Sequence, residues 1–392
     1  MKLTYKNTLV SCFIGYIVQA ISINFIPLLF ITFQNTYHIP LSQITLLVTI
    51  NFLVQLTVDV TAPLYVDKLG YRPCIVAAHI FSASGFLLLM ILPEILPPFT
   101  GLLMAVVTYA IGSGLIEVMV SPITESCPTD NKEKAMSLLH SFYCWGQVGV
   151  VLISTAFFTL FGIENWRYLA GAWAIVPIVN AVLFSKTPIA PLIAEGEVGM
   201  KFGQLLRSKV FWVLIVMMLC SGAAEHVIIQ WVSAFAEKGL GITKTLGDLA
   251  GPTAFGILMG LTRVFYGKYG EKINLDKFIL GSGILCILSF SLVVFVPNAV
   301  VNLIGCALCG IGVAILWPGT LSKSAVALRG GGTTMFAWLA VAGDMGCSAG
   351  PTVVGLVSGA FGDNLKAGIL AGMIFPVTLV ICLLLNFKKK KV

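Results

Sequence analysis

The feature that most restricts this 392-residue chain is a succession of apolar runs, each about 20 residues long, separated by short loops that carry most of the charge. Wound as a helix at 1.5 Å per residue, a run of that length matches the roughly 30 Å hydrocarbon core of a bilayer. The runs fall near residues 8–34, 42–66, 73–92, 99–126, 134–161 and 166–185, then near 209–236, 246–268, 276–296, 298–323, 331–358 and 365–387. Lipid offers no partner to an unpaired backbone group, so such runs cross as helices. The sequence therefore predicts an all-α polytopic membrane protein of twelve transmembrane helices. Charged residues make up only 10% of the chain, against about a quarter in soluble domains. The first run stays apolar to Phe33 without a convincing small-residue cleavage site, so it reads as a span rather than a signal peptide.

Basic residues test the count of spans, because loops rich in Lys and Arg stay on the cytoplasmic side. With the N-terminus inside, 19 of the 24 basic residues fall in cytoplasmic segments, among them Lys68, Arg72, Lys268 and the Lys388–Lys391 run. Only Arg167, Lys238, Lys244 and Lys366 fall outside, and Arg263 lies within the eighth run. The expectation is a protein of the cytoplasmic membrane, in contact with lipid, with both termini cytoplasmic. A polar stretch with Pro188, Pro191, Glu195 and Glu197 divides the runs six and six. It gives an N-terminal bundle over 1–186, a cytoplasmic linker over 187–208 and a C-terminal bundle over 209–392.

The two halves repeat each other at an offset of roughly 200 residues. Asp67-Lys68-Leu69-Gly70-Tyr71-Arg72 recurs as Gly267-Lys268-Tyr269-Gly270-Glu271-Lys272. Pro122 corresponds to Pro318, with a Gly-x-Gly before each, and Gly146-Gln147-Val148-Gly149 to Gly343-Asp344-Met345-Gly346. Duplication of this kind is the construction of alternating-access carriers.

Several chemistries are excluded. The ten Cys are scattered through apolar segments with no CxxC pair, and no His cluster accompanies them, so neither a metal site nor a disulfide framework is indicated. There is no GxxxxGK[ST] loop for a nucleotide and no soluble domain for a catalytic site, so an enzyme is not expected and no cofactor is implied. The net charge of +7 resides in the loops between runs, which points to topology rather than nucleic acid.

Polar side chains inside the runs are where function is to be sought, since a mid-membrane carboxylate costs at least about 2.5–3.5 kcal/mol. Four such acids are Asp59, Glu117, Glu225 and Asp344. Glu117 lies near the middle of the fourth run and is the leading proton-coupling group, the alternative being a carboxylate fixed by Ser113 and Ser121. Asp344, mid-span on the eleventh run, is the second proton-coupling candidate, and it either pairs with Arg263 or leaves that arginine to a cytoplasmic latch beside Gly267 and Lys268. Glu225, His226, Gln230 and Trp231 gather on the seventh run, where His226 and Gln230 share a stripe at i and i+4. Carboxylate, imidazole and amide beside an indole suit a sugar, whose hydroxyls need polar partners and whose C–H face stacks on a ring. On the fifth run His140, Tyr143 and Gln147 lie along one face, with Trp145 between them. Trp317, Trp338, Gln19 and Asn24 complete the candidate binding set. Gly346 to Gly350 has the small-xxx-small form that permits close helix contact.

The loop Pro63-x-x-x-Asp67-Lys68-x-Gly70-x-Arg72 resembles the signature of the major facilitator superfamily, with Pro63 where the family's opening Gly stands. The resemblance covers essentially the whole chain and implies two six-helix bundles around a central cavity. It also implies a cytoplasmic gating network of Asp67, Lys68, Gly70 and Arg72, with Glu125 as a partner for Arg72; Asp59, one turn before Pro63, is assigned to the same latch. Two stretches resemble the fucose-permease branch of sugar:cation symporters. One is Gly112-Ser113-Gly114-x-x-Glu117 with His140-Ser141-Phe142-x-x-Trp145-Gly146-Gln147. The other is Glu225-His226-x-x-x-Gln230-Trp231 with Met259-Gly260-x-x-Arg263. In that branch acids on spans 4 and 1 serve the proton cycle, and here only Glu117 has a counterpart. The functional expectation is a monomeric secondary transporter of a small polar solute, in the first place a sugar, by proton-coupled symport, with Na+ as the rival coupling ion. Carriers or exporters of organic anions or drugs, and a transporter-like receptor, are the alternatives.

Overall fold

Because lipid forces backbone groups to pair within their own segment, the apolar runs have one outcome, and the chain is helical throughout its described length. The computed structural model describes residues 3–39, 41–191, 200, 202–229, 253–362 and 364–389, and no strand occurs among them. The helices of the first half are α1 (Tyr5–Asn24), α2 (Phe30–Tyr37), α3 (Leu41–Leu69), α4 (Tyr71–Ile95), α5 (Pro98–Ser126), α6 (Lys132–Phe161), α7 (Trp166–Trp173) and α8 (Ile175–Lys186). Next come α9 (Phe202–Arg207), α10 (Lys209–Ile229), α11 (Ala254–Tyr269), α12 (Leu275–Phe295), α13 (Ala299–Val313), α14 (Leu316–Ala327), α15 (Gly332–Ala360), α16 (Leu365–Gly372) and α17 (Ile374–Lys389). Among the described residues, 11 helical segments are long and apolar enough to cross a membrane, so the chain is a multi-pass membrane protein. The eighth apolar run is represented by α11, whose 16 described residues are shorter than a crossing.

Local sequence sets the ends and breaks. Helix α5 begins at Pro98, where a missing N–H costs nothing, and stops at Cys127 before Pro128. Asn274, Asn298 and Asn364 cap α12, α13 and α16 by accepting backbone N–H bonds. Three spans are broken by proline, which cannot donate to the carbonyl four residues earlier. Pro177 frees Trp173, Pro318 frees Ala314 and Pro376 frees Gly372, and the breaks α7/α8, α13/α14 and α16/α17 fall at these carbonyls.

The described contacts form two units. Unit 1 comprises Met1–Asp130, Phe142–Val198 and Gly332–Ala337; unit 2 comprises Asn131–Ser141, Gly199–Gly331 and Trp338–Val392. Each unit thus includes the opening turns of one helix, α6 or α15, whose remainder belongs to the other.

Unit 1 is organised by α4 and α5, its most extensively packed pair. Gly85 and Gly112 permit the approach, since a Cβ at Gly85 would meet the backbone of Tyr109 and one at Gly112 the carbonyl of Ala78. Aromatic rings fill one end of the core: Phe86 stacks on Tyr109 at 5.4 Å and Phe33 meets Trp166 edge-on at 5.1 Å. A buried polar tie crosses α1, α4 and α8. His79 Nδ1 lies 2.7 Å from the Ile75 carbonyl, so that nitrogen carries the proton, and Nε2 accepts from Asn180 Nδ2 at 2.7 Å. The same Asn180 amide donates to the Ser11 carbonyl at 2.9 Å.

In unit 2 the small residues of α15 do what their spacing predicts: Gly346 and Gly350 bring that helix against the α10 backbone at Leu219 and Ala223. The buried base Arg263, 3% exposed, answers the break in the tenth span. Its Nε donates at 2.8 Å to the Ala314 carbonyl freed by Pro318, Nη1 donates to His140 O at 3.1 Å, and Nη2 lies 3.5 Å from Glu225 Oε2.

Two stability outcomes follow from these ties. Asn180→Ala removes the donor to both His79 and Ser11 at a fully buried site and is expected to cost roughly 1–3 kcal/mol, read as a lower Tm of the purified protein. Arg263→Met strands a buried carboxylate and is expected to cost about 3–5 kcal/mol. Adding Glu225→Met to it should recover part of the lost Tm.

Candidate functional site

In unit 1 the first and fourth spans meet along polar stripes. Gln19 and Glu117 sit on the facing sides of α1 and α5, and Gln19 Nε2 donates to Glu117 Oε2 at 2.5 Å. One turn along α5, Ser121 lies 3.2 Å from the Tyr16 hydroxyl, and Tyr16 in turn meets the Tyr143 ring edge-on at 6.3 Å. Asp59 on α3 is wholly buried and brings a carboxylate oxygen within 4.8 Å of one from Glu117. The sequence reading placed Asp59 in the latch near Pro63; the structure places it beside Glu117, because its stripe on α3 faces α5. Trp145 and Gln147 are half-buried on α6, and Asn24 donates its amide to Ala20 O within its own helix.

In unit 2 the arginine is the organising group. It holds Glu225 of α10, Ala314 at the C-cap of α13 and His140 of α6, while Ser137 Oγ donates to the Arg263 carbonyl at 2.8 Å. His226 keeps its Nδ1 3.2 Å from Gly222 O in its own helix, away from any imidazole–carboxylate pair with Glu225. Trp317 lays its indole against Gly343 of α15, the neighbour of the half-buried Asp344. Trp338 stacks on Phe202 at 4.7 Å, which occupies one face of its ring. Gln230 and Trp231 lie outside the described residues.

The loop motif and its repeat do parallel work. In unit 1, Thr333 at the start of α15 donates to Asp67 and shares its hydroxyl with Tyr71. In unit 2, the opening turns of α6 are held by Tyr266, which donates to Glu133 at 2.8 Å, and by Lys134, 3.6 Å from Glu271. Arg72 differs from expectation. It donates to the Phe184 and Ser185 carbonyls at 3.0 and 2.8 Å, rather than pairing with Glu125. A cation at the negative end of α8 is the physical reason. Lys68 is exposed, Gly70 makes the turn at a φ of 89°, and Lys268 lies 5.3 Å over the Tyr269 ring.

Sequence reasoning missed Tyr16, whose hydroxyl lies 3.2 Å from Ser121, because a single tyrosine in an apolar run carries no spacing signal of its own.

The sequence model of the Major Facilitator Superfamily matches residues 12–351. The membrane protein MosC of Rhizobium meliloti is 22% identical over 308 residues, covering 77% of this chain and 73% of MosC. Among solved structures, the fucose:proton symporter FucP of E. coli is similar with a TM-score of 0.79 at 17% identity, over 96% of this chain and 97% of FucP. The human organic anion transporter MFSD10 gives 0.76 at 14%, over 97% of this chain and 99% of its own. At such identities the likeness concerns the fold, which all of these share. With the superfamily's sequence pattern running through most of its length and its helices folded as in those transporters, the chain belongs to the Major Facilitator Superfamily.

Proposed function

We propose that the protein is a proton-coupled symporter that takes up a neutral polyhydroxylated solute, a sugar or a related polyol, across the cytoplasmic membrane by alternating access. The halves 1–186 and 209–392 are its two moving bundles, joined by the 187–208 linker, with both termini cytoplasmic. Asp67, Lys68, Gly70, Arg72, Glu125 and Lys268 serve the cytoplasmic gate. The polar and aromatic groups Gln19, Tyr143, Trp145, Gln147, Glu225, His226, Trp317 and Trp338 are the candidate solute contacts.

The observation that carries this reading is the Gln19–Glu117 hydrogen bond. An amide serves both states of a carboxyl group, because its N–H donates to the carboxylate and its oxygen accepts from the protonated acid. Glu117 therefore has a partner before and after proton uptake. Glu225 has as its partner a guanidinium, which can only donate. The charge balance selects the solute class. Away from the span ends, Asp59, Glu117, Glu225 and Asp344 stand against the single base Arg263 among the described residues, a field that repels anions. The organic-anion alternative, suggested by the likeness to MFSD10, runs against that balance; the sugar reading accords with the likeness to FucP.

Glu117→Gln is expected to abolish uphill uptake in proteoliposomes while exchange of labelled solute down its gradient persists. Concentrative uptake by this variant refutes the assignment of the coupling group, and binding without exchange by the unmodified protein favours a receptor. In a thermal-shift screen, neutral sugars and polyols should raise the Tm and organic acids should not. A shift confined to organic acids overturns the solute class.

A further inference from the structure

The start of α10, the end of α11, the start of α12 and the end of α14 carry charge that unit 2 leaves unmatched. Consecutive spans run in opposite directions, so these ends share one side, the one that the proposed topology gives to the cytoplasm. The described acids of that side are all engaged: Glu271 pairs with Lys134 at 3.6 Å, Asp276 pairs with Lys323, and Glu133 accepts from Tyr266 at 2.8 Å. Six bases are left over. Arg207, Lys209, Lys268, Lys272, Lys277 and Arg329 are exposed, and none of them is ion-paired among the described residues. The Lys388–Lys391 run follows in the sequence at the end of the last span. A bias that served topology alone would load both halves alike. At the matching ends of unit 1, Lys6, Lys68 and Lys186 are exposed, Arg72 is spent on two carbonyls, and the exposed Asp67 and Asp130 offset the rest.

Apolar groups accompany these bases. Helix α9 buries Leu205 and leaves Phe202 and Leu206 exposed. Trp212, exposed on α10, donates its Nε1 to the Leu206 carbonyl at 2.8 Å, so the corner at Arg207 and Lys209 has an indole beside it. At the end of α11, Phe265 and Tyr269 are exposed next to Lys268, whose ammonium lies 5.3 Å over the Tyr269 ring. Exposed rings at span ends mark the headgroup level of a bilayer, where long basic side chains reach lipid phosphates. A soluble anion would use the cations and leave the rings in water; an anionic lipid uses both. We propose that this side of unit 2 is a docking surface for anionic glycerophospholipids, with the phosphate diesters held by the six unpaired bases and the upper acyl chains lying along the exposed rings. Helix α9 belongs to the surface, so the segment by which the chain enters unit 2 is held at the bilayer together with the span it leads into. The surface is independent of the transported solute and of the coupling ion.

The test is a melting experiment on the full-length protein in phosphatidylcholine vesicles in which phosphatidylglycerol progressively replaces the zwitterionic lipid. The Tm should rise saturably with phosphatidylglycerol, and added KCl should weaken the rise. Arg207→Gln combined with Lys209→Gln should raise the phosphatidylglycerol fraction needed for half the rise about fivefold or more, as should Lys272→Gln combined with Lys277→Gln. Arg207→Lys combined with Lys209→Arg keeps the charge and should keep the response. Lys6→Gln combined with Lys186→Gln, the control in unit 1, should leave it unchanged. All of these positions are exposed, so the variants are expected to fold. Equal melting at every phosphatidylglycerol fraction overturns the proposal, as does a unit 1 control that loses as much as the unit 2 variants. Inorganic phosphate or poly-glutamate added to pure phosphatidylcholine vesicles should give no rise. A rise with phosphate alone would make this a site for small anions, and a rise with poly-glutamate alone would assign it to an acidic protein partner; either result overturns the lipid assignment.

Discussion

A carboxylate at the centre of an apolar span costs at least about 2.5–3.5 kcal/mol, and the charged groups that these spans bury are tied in ways that answer that cost. Arg263 spends its donors on Glu225 and on two carbonyls, one of them freed by Pro318. Glu117 has the Gln19 amide, and His79 is held neutral in one tautomer between Ile75 and Asn180. Asp59 and Glu117 bring carboxylate oxygens within 4.8 Å of each other, so a charge on one raises the cost of a charge on the other.

The same accounting of backbone groups explains the broken spans. A proline inside a membrane helix leaves one carbonyl open, and in lipid that carbonyl must be satisfied from outside its own ladder. At Ala314 the donor is a guanidinium from another span, which converts a local break into a junction of α11, the end of α13, α10 and α6. The repeated loop motif makes a second kind of junction. Asp67 and Tyr71 engage the first turn of α15, and Glu271 with Tyr266 engages the first turns of α6. Both copies of the motif thus act on helix starts from the opposite half of the sequence, which is why the two units exchange those segments.

Much of the fold was legible because lipid leaves so few solutions. The apolar runs gave the helices, and the Gly346–Gly350 spacing gave a contact that the structure contains. The site was legible only in part. Glu117 stood out as a charge in an apolar run, but the meaning of Asp59 depended on which helix its stripe faces, and spacing along one chain segment carries no such information. Arg72 was read from its loop as the partner of Glu125, whereas a helix end that is distant in sequence takes it. The His79–Asn180 tie was missed for the same reason: each residue alone is an ordinary polar interruption, and only the packing of α4 on α8 makes them a pair.

The duplicated architecture did not keep duplicated chemistry. Both units bury acid, yet unit 2 surrounds Glu225 with an arginine whose five donors cannot accept a proton or yield to one. Unit 1 offers its acids an ambivalent amide and a neighbouring carboxylate. A carboxylate tied to a guanidinium stabilises a junction, whereas an acid beside an amide has a partner in either charge state. Under the proposed function, exchange of the coupling ion belongs to unit 1, and the Arg263–Glu225 tie is a feature of unit 2. The divergence traces to position 263, where the second half carries an arginine in an apolar run and the matching stretch of the first half, around Pro63, carries no base at all.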